Sequence, residues 1–315
     1  MKFSWEKIDK PIFILAPMEG ATDTVFRQIV LDCARPDIFF TEFTNVQGLL
    51  SAGNKQVAQR LRFESNEKPI IAQIWGADPN YFAKAAELIV NMGFDGIDIN
   101  MGCPERNIVK KGSCAGLIRR PEIAAEIIEE TKKGAGSLPV SVKTRLGTTG
   151  IELDWLEYLL KQDIKALTVH LRTVKEMSKV PAHWEIVNQV VELKNKIAPD
   201  TILIGNGDIE NVSEANLKVK ETGLDGIMIG RGIFHDPYAF SGKLSFHDLS
   251  RDEKVGLLNK HLDLFEKTWG SEKSFPPLKR YFKIYVNGFD GASELREKLM
   301  ETSSIDEARE ILRVF

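Results

Sequence analysis

Between Ile12 and about Phe240 one pattern repeats along the chain: a short β-rich apolar run, then a longer amphipathic stretch. Such repetition leaves few folds open, because strands joined through helices lie parallel and need cover on both faces. Eight apolar runs can be counted: Ile12 to Ala16, Ile38 to Thr41, Ile70 to Ile74, Gly96 to Ile99, Val140 to Lys143, Ala166 to His170, Thr201 to Gly205 and Gly226 to Ile229. Helix signals lie between them, such as Asp78-Pro79 before residues 81–92 and Pro121 at the head of 121–133. Eight strands, each followed by a helix, predict an α/β fold closed as a (β/α)8 TIM barrel, with its active site at the carboxyl ends of the strands. Beyond Tyr238 the strand signal stops, and 249–269 and 293–315 read as amphipathic helices separated by Ser274-Phe275-Pro276-Pro277. The expected division is a catalytic barrel over 1–242 followed by a small all-helical C-terminal domain over 243–315.

Composition adds exclusions. With 43% hydrophobic and 28% charged residues, the chain has no apolar run near the roughly 20 residues of a membrane helix. Residues 1–10 lack an apolar signal core, so a cytoplasmic setting is expected, as is a monomer. Cys33, Cys103 and Cys114 have no second pair or nearby His to complete a zinc site, so no metal is expected. A net charge of −3 means that nucleic acid could be met only by local basic patches.

In a barrel, the residues just after each apolar run face one common mouth. Those here are Pro17-Met18-Glu19-Gly20, Glu42, Gln73, Asn100 with Cys103, Lys143 with Arg145, His170 with Arg172, Asn206-Gly207-Asp208 and Gly230-Arg231-Gly232. The last two loops fit a phosphate, because glycines allow close backbone approach and Arg231 offers charge-assisted bonds. Either loop alone reads as a turn; after consecutive strands, together, they point to an anion. Lys143 reads in isolation equally well as a strand-end lysine reaching solvent. Among the other strand ends it suits a buried cation facing the electron-rich edge of a reduced flavin, with Gln73 beside it. Cys103 lies in a Gly-Pro loop at the rim, where burial is a poor explanation, and a thiol with an ordinary pKa near about 8.5 can act as an acid.

The combination Ala16-Pro17-Met18-Glu19-Gly20-Ala21-Thr22-Asp23, Phe26-Arg27, Thr41-Glu42, Gln73, Asn100-Met101-Gly102-Cys103-Pro104, Lys143-Thr144-Arg145, His170-Leu171-Arg172-Thr173, Asn206-Gly207-Asp208-Ile209 and Met228-Ile229-Gly230-Arg231-Gly232 resembles the tRNA-dihydrouridine synthase family. The tail over 279–299, with Asn287-Gly288-Phe289 and Leu295-Arg296, is similar to that family's helical domain. The resemblance implies an FMN-dependent oxidoreductase that reduces the C5=C6 bond of uridines in tRNA, with NADPH as reductant. It places Pro17, Met18, Gln73, Lys143 and His170 against the flavin and its polyol, and Asn206, Gly207, Asp208, Gly230 and Arg231 at the phosphate. Cys103 matches the general acid. An acid is required at C5 because hydride addition at C6 leaves negative charge spread toward C5 and O4. Asn100 is a candidate to hold the base or ribose of an extruded uridine, and Arg145 and Arg172 to grip its flanking backbone. One departure is that Val174 to Trp184 stands where the family commonly has a Gln- or Tyr-containing, glycine-bearing loop, and Leu171 replaces a residue that is often Gly.

In the tail, Lys273, Lys279, Arg280 and Lys283 alternate with Phe275, Tyr281, Phe282 and Tyr285. Cations track phosphates and exposed aromatic faces stack bases, and because the barrel resembles that family, Lys279, Arg280 and Lys283 are expected to contact tRNA. The aromatics fit equally well as the core face of an amphipathic helix. Two rivals remain: an FMN barrel acting on a free small molecule, of the dihydroorotate or dihydropyrimidine dehydrogenase or ene-reductase kind, and an RNA-binding protein without catalysis. The basic tail speaks against the first, and Cys103, Lys143 and His170 against the second.

Overall fold

The computed structural model describes residues 3–315; Met1 and Lys2, which open the N-terminal stretch and the barrel range read above, lie outside the described residues. Nine strands, β1 (Ile12–Leu15), β2 (Phe39–Phe40), β3 (Thr44–Asn45), β4 (Ile70–Trp75), β5 (Gly96–Met101), β6 (Val140–Arg145), β7 (Ala166–His170), β8 (Ile202–Asn206) and β9 (Gly226–Ile229), run parallel in the order β1-β9-β8-β7-β6-β5-β4-β2. A parallel bridge between Ile14 and Ile38 closes the ring. Nine strands make eight staves, because β2 and β3 both pair with β4, at Phe39–Ile70 and Thr44–Ile74. The second apolar run is therefore a broken stave and not one continuous strand. Its interruption has a local cause: the N–H of Gln73 donates to the Thr41 hydroxyl at 3.1 Å, so a side chain takes over a ladder bond and the backbone departs at Glu42.

Alternation along the strands sets the two sides of the barrel wall. Ile12, Ile14, Phe40, Ile71, Ala166, Ile202, Ile204 and Met228 fill the interior with Trp5 among them. Their outward neighbours Leu15, Phe39, Ala72, Ile97, Val142, Leu167, Leu203 and Ile227 pack under the helices. Toward the carboxyl ends the inward series turns polar, through Gln73, Asp98, Asn100, Ser141, Lys143, His170 and Asn206. The same parity that fills the floor with methyl groups thus assembles the site above it.

The first loop is anchored by a fully buried ion pair, Arg27 Nε to Glu67 at 2.5 Å. Arg27 also donates to the carbonyls of Thr22 at 2.7 Å and Arg62 at 2.8 Å, while Glu67 accepts from Thr24, Gln28 and the Glu64 N–H. Each nitrogen of Arg27 and each oxygen of Glu67 thus has at least one partner, the condition under which a buried pair is tolerated.

The tail is helical: Arg251–Trp269, opened by a Ser250/Glu253 capping box, then a tight turn at Pro276–Tyr281 and helices Phe282–Tyr285, Ala292–Glu301 and Ile305–Val314. The first of these packs against the barrel helix Thr24–Cys33. The aromatics of this region are core residues: Tyr281, Phe282 and Tyr285 are buried, with Tyr281 stacked on Phe26 at 5.1 Å and the Tyr285 hydroxyl 2.7 Å from His261 Nδ1. Of the two readings left open for these aromatics, the structure takes the core one: Tyr281 packs on the barrel's Phe26, while Phe282 and Tyr285 meet Phe275 and His261 within the tail.

Candidate active site

The site begins one layer below the mouth, at an acid in the middle of β5. Asp98 accepts from the Ser141 hydroxyl and from the Gln73 amide, each at 2.7 Å; burial pushes its carboxyl up to about 6. Gln73 in turn accepts from Asn100 Nδ2 at 2.9 Å, and Asn100 Oδ1 takes the N–H groups of Gly102 and Cys103 at 3.0 Å each. This chain of bonds shapes the loop bearing Cys103, and both ends of the Asn100 amide are engaged by the protein. The Cys103 thiol is half-buried and pulled down to about 7, first by the neighbouring Cys114 thiol; burial opposes this, and the Glu105 backbone and Arg145 charge assist it. Cys114 lies fully buried beneath.

Arg145, whose Nε donates to Gly102 O of this loop, also lines a cavity of about 410 Å³, within the usual range for a small-ligand site; Cys103 and Asn100 are not themselves among its lining residues. Nine of the ten expected cofactor residues line it: Pro17, Met18, Lys143, His170, Asn206, Gly207, Asp208, Gly230 and Arg231. Gln73 does not, lying fully buried one bond behind Asn100. The cavity is strongly cationic. Lys143 donates to Asn206 Oδ1 at 3.0 Å and is lowered to about 8, by burial first and then by Arg145. Burial and the charges of Lys143, Arg145, Arg172 and Arg231 hold His170 well below its ordinary value, so its ring is neutral at pH 7. Arg172 Nη1 lies 3.2 Å from His170 Nε2, and since a guanidinium only donates, that nitrogen accepts and the proton sits on Nδ1.

Asp208 ties the last loops together. It accepts from Arg172, from the Ala182 N–H at 2.9 Å and from Arg231 Nη2 at 3.0 Å. Gly207 has φ +138°, and a Cβ there would stand 2.9 Å from Ala182 Cβ, so glycine is required. At Gly230 the situation differs: a Cβ would meet nothing nearer than 3.8 Å, since it would project into the open cavity beside Ala16 and Asn206. This open glycine cradle, ringed by cationic donors, fits a phosphorylated cofactor.

Arg145 and Arg172 are not on the outer rim. They are 5% and 2% exposed, and they line the cavity while holding its walls. Arg145 donates to Gly102 O at 2.8 Å and to the carbonyls of Thr173 and Met177; Arg172 donates to Val180 O at 2.6 Å. Both therefore fasten the 174–184 segment over the cavity, where Ser178 joins the lining and Trp184 Nε1 reaches Gly207 O at 3.1 Å. In the tail, Lys279 is spent on Met300 O at 2.7 Å and Arg280 on Gly20 O, whereas Lys283 stands exposed. The sequence reading missed Asp98, whose signal was a charge at an inward position within an apolar strand, and it missed Ser178, for which no local signal exists.

A cationic cavity beside a thiol loop at the carboxyl mouth of a (β/α)8 barrel defines the class: a barrel oxidoreductase with a site for an anionic cofactor. Of solved structures with this fold, morphinone reductase in complex with tetrahydroNAD superposes with a TM-score of 0.50 at 12% identity, over 72% of this chain and 84% of that one. An old yellow enzyme homologue from Zymomonas mobilis gives 0.50 at 13% identity, over 72% and 86%. The family model for dihydrouridine synthase matches residues 14–314, and the chain belongs to that family. Relatives include a probable tRNA-dihydrouridine synthase of Staphylococcus epidermidis, 52% identical over 99% of this chain and 95% of the relative. A probable tRNA-dihydrouridine synthase 2 of Bacillus subtilis is 49% identical over 99% and 96%. Among the described residues no helix is long and apolar enough to cross a membrane.

Proposed function

We propose that the chain reduces uridine to dihydrouridine in tRNA, with FMN in the cationic cavity, NADPH as reductant and Cys103 as the acid. The barrel, over 1–242, carries the chemistry, and the helices over 243–315 help to seat the RNA. The carrying observation is the pairing of two features: a cavity with four cationic side chains and an open glycine cradle, and a thiol loop held by Asn100 and tied to the cavity wall through Arg145, which donates to Gly102 O. When bound, FMN supplies the hydride, taken from NADPH, that adds to C6 of the uracil ring.

The remaining work falls to the chain itself. Arg231 and the backbone of 206–208 and 230 would hold the phosphate. Lys143, which donates to Asn206 Oδ1, would offer its charge to the ring edge that gains electron density. His170, neutral, would give its Nδ1–H or ring edge to the polyol. Cys103 would deliver its proton to C5 of the uracil, so that the double bond takes up one hydride and one proton. Asn100 fixes the position from which that proton leaves by clamping the Gly102 and Cys103 N–H groups. A uridine inside folded RNA must be turned out to reach such a mouth.

The test is Cys103→Ala in the purified holoprotein. NADPH should still bleach the flavin at the wild-type rate, while dihydrouridine formed in a tRNA transcript, read by mass spectrometry, should fall by about 100-fold or more. Equal dihydrouridine yield with alanine removes Cys103 from the reaction, and a protein that takes up no FMN removes the whole reading.

A further inference from the structure

A second cavity, of about 430 Å³, lies between the first barrel loop and the tail, and none of the steps above uses it. The loop separates the two spaces: Pro17 and Met18 line the cofactor cavity, while Glu19 and Gly20 line this one. Most of its charges are already matched. Glu19 pairs with Arg60 at 2.7 Å, and Asp23 accepts from Lys273 at 2.8 Å and Trp269 Nε1 at 3.0 Å. Glu272 accepts from Gln59 at 3.4 Å, and His261 is neutral, lowered to about 4 by burial.

Glu42 is the exception. It is 4% exposed, its Oε1 accepts from the Gly20 N–H at 2.5 Å, and its Oε2 has no hydrogen-bond donor among the described residues. A carboxyl group so buried carries unused acceptor capacity. Burial, reinforced by the charge of Asp23, lifts it to about 7, which records the same want of partners. The same cavity is lined by the largely buried Leu278 and Tyr281, the latter held by its stack on Phe26, and by Arg60, Lys273 and Arg280. A flat group that donates a hydrogen bond and is attached to an anion fits this set of surfaces.

We propose that the cavity receives a second nucleobase of the RNA, one bearing an exocyclic amino group, which donates to Glu42 while the target uridine occupies the barrel mouth. The inference rests on the tRNA reading and adds a specificity-determining residue to it. Because one loop forms both walls, the second base lies within a few nucleotides of the uridine. Guanine, adenine and cytosine carry such an amino group; uracil offers only its ring N3–H.

Glu42→Gln tests it, since glutamine keeps an oxygen for the Gly20 N–H but loses the ionised acceptor. In the holoprotein, Kd for a tRNA transcript should rise about tenfold, with flavin content and melting temperature unchanged. A residue that only clamped the loop would tolerate glutamine, so an unchanged Kd overturns the proposal. A second arm leaves the protein intact. Purines near the reduced uridine are replaced singly by deamino analogues, inosine or purine riboside, and cytidines by the 4-deamino base. One position should weaken wild-type binding by a similar factor and weaken the Glu42→Gln variant no further. No such position, or a raised KM for NADPH with tRNA binding intact, also overturns it. Wild-type protein that binds no tRNA defeats the functional reading itself, before any variant is compared.

Discussion

The Cys103–Cys114 contact makes a quantitative demand on the pH dependence of uridine reduction. An acid works only while it holds its proton, and with Cys103 at about 7 the protonated fraction falls through neutrality. Roughly nine-tenths of the thiols are protonated at pH 6 and about one-tenth at pH 8, so the chemical step should slow roughly tenfold between them. Cys114 is the largest cause of the lowering, ahead of burial and the Arg145 charge. In Cys114→Ala the remaining balance lets burial dominate, and the Cys103 pKa returns to its ordinary value of about 8.5 or above. About three-quarters of the thiols then keep their proton at pH 8, and the falling limb moves up by more than one pH unit. The assay is single-turnover reduction of a tRNA transcript by NADPH-reduced enzyme across this range. The rate of flavin reduction is followed in parallel, because Lys143, at about 8, loses charge in the same region and would act on both half-reactions. Superimposable profiles for wild type and Cys114→Ala, or a rate that climbs from pH 6 to pH 8, would refute the reasoning.

Three further outcomes are expected. Glu67→Ala leaves Arg27 charged and buried without its partner, and should cost about 3–5 kcal/mol in urea denaturation; Arg27→Met combined with Glu67→Leu should cost much less. Gly207→Ala, at φ +138° and 2.9 Å from Ala182 Cβ, should lose about 1–3 kcal/mol and release flavin on gel filtration, whereas retention at the wild-type level would show that the loop yields freely. Lys283→Glu should weaken tRNA binding and lower the slope of log Kd against log salt by about 1, while Lys279→Met, whose ammonium is already bound to Met300 O, should change that slope little.

The barrel could be read from the sequence because a two-residue period decides which side chains face inward, and that period survives from Ile12 to Ile229 without any knowledge of partners. The residues of the mouth followed for the same reason: Lys143, His170 and Asn206 lie at the ends of inward series. What parity does not tell is whom a polar residue bonds. Asn100 and Arg172 look like ligand-binding groups by type and place, yet the one is engaged by Gln73, Gly102 and Cys103 and the other by Val180, His170 and Asp208. The tail presents the same ambiguity in another form. A helix with aromatics on one face and lysines on the other specifies that one face is covered, and only the fold reveals what covers it: Phe26 of the barrel over Tyr281, and His261 of the helix Arg251–Trp269 over Tyr285. The broken second stave, in turn, depends on a single hydroxyl, Thr41, replacing a backbone acceptor, a substitution that β propensity cannot register. The groups that chemistry singles out in this chain are thus of two kinds, those that face the cavity and those that hold them there. The second kind is as polar as the first. Asp98, which sits beneath Gln73, Asn100 and Cys103 in one unbroken series of hydrogen bonds, shows that the position of the Cys103 loop is decided two residues deeper in the barrel than the loop itself.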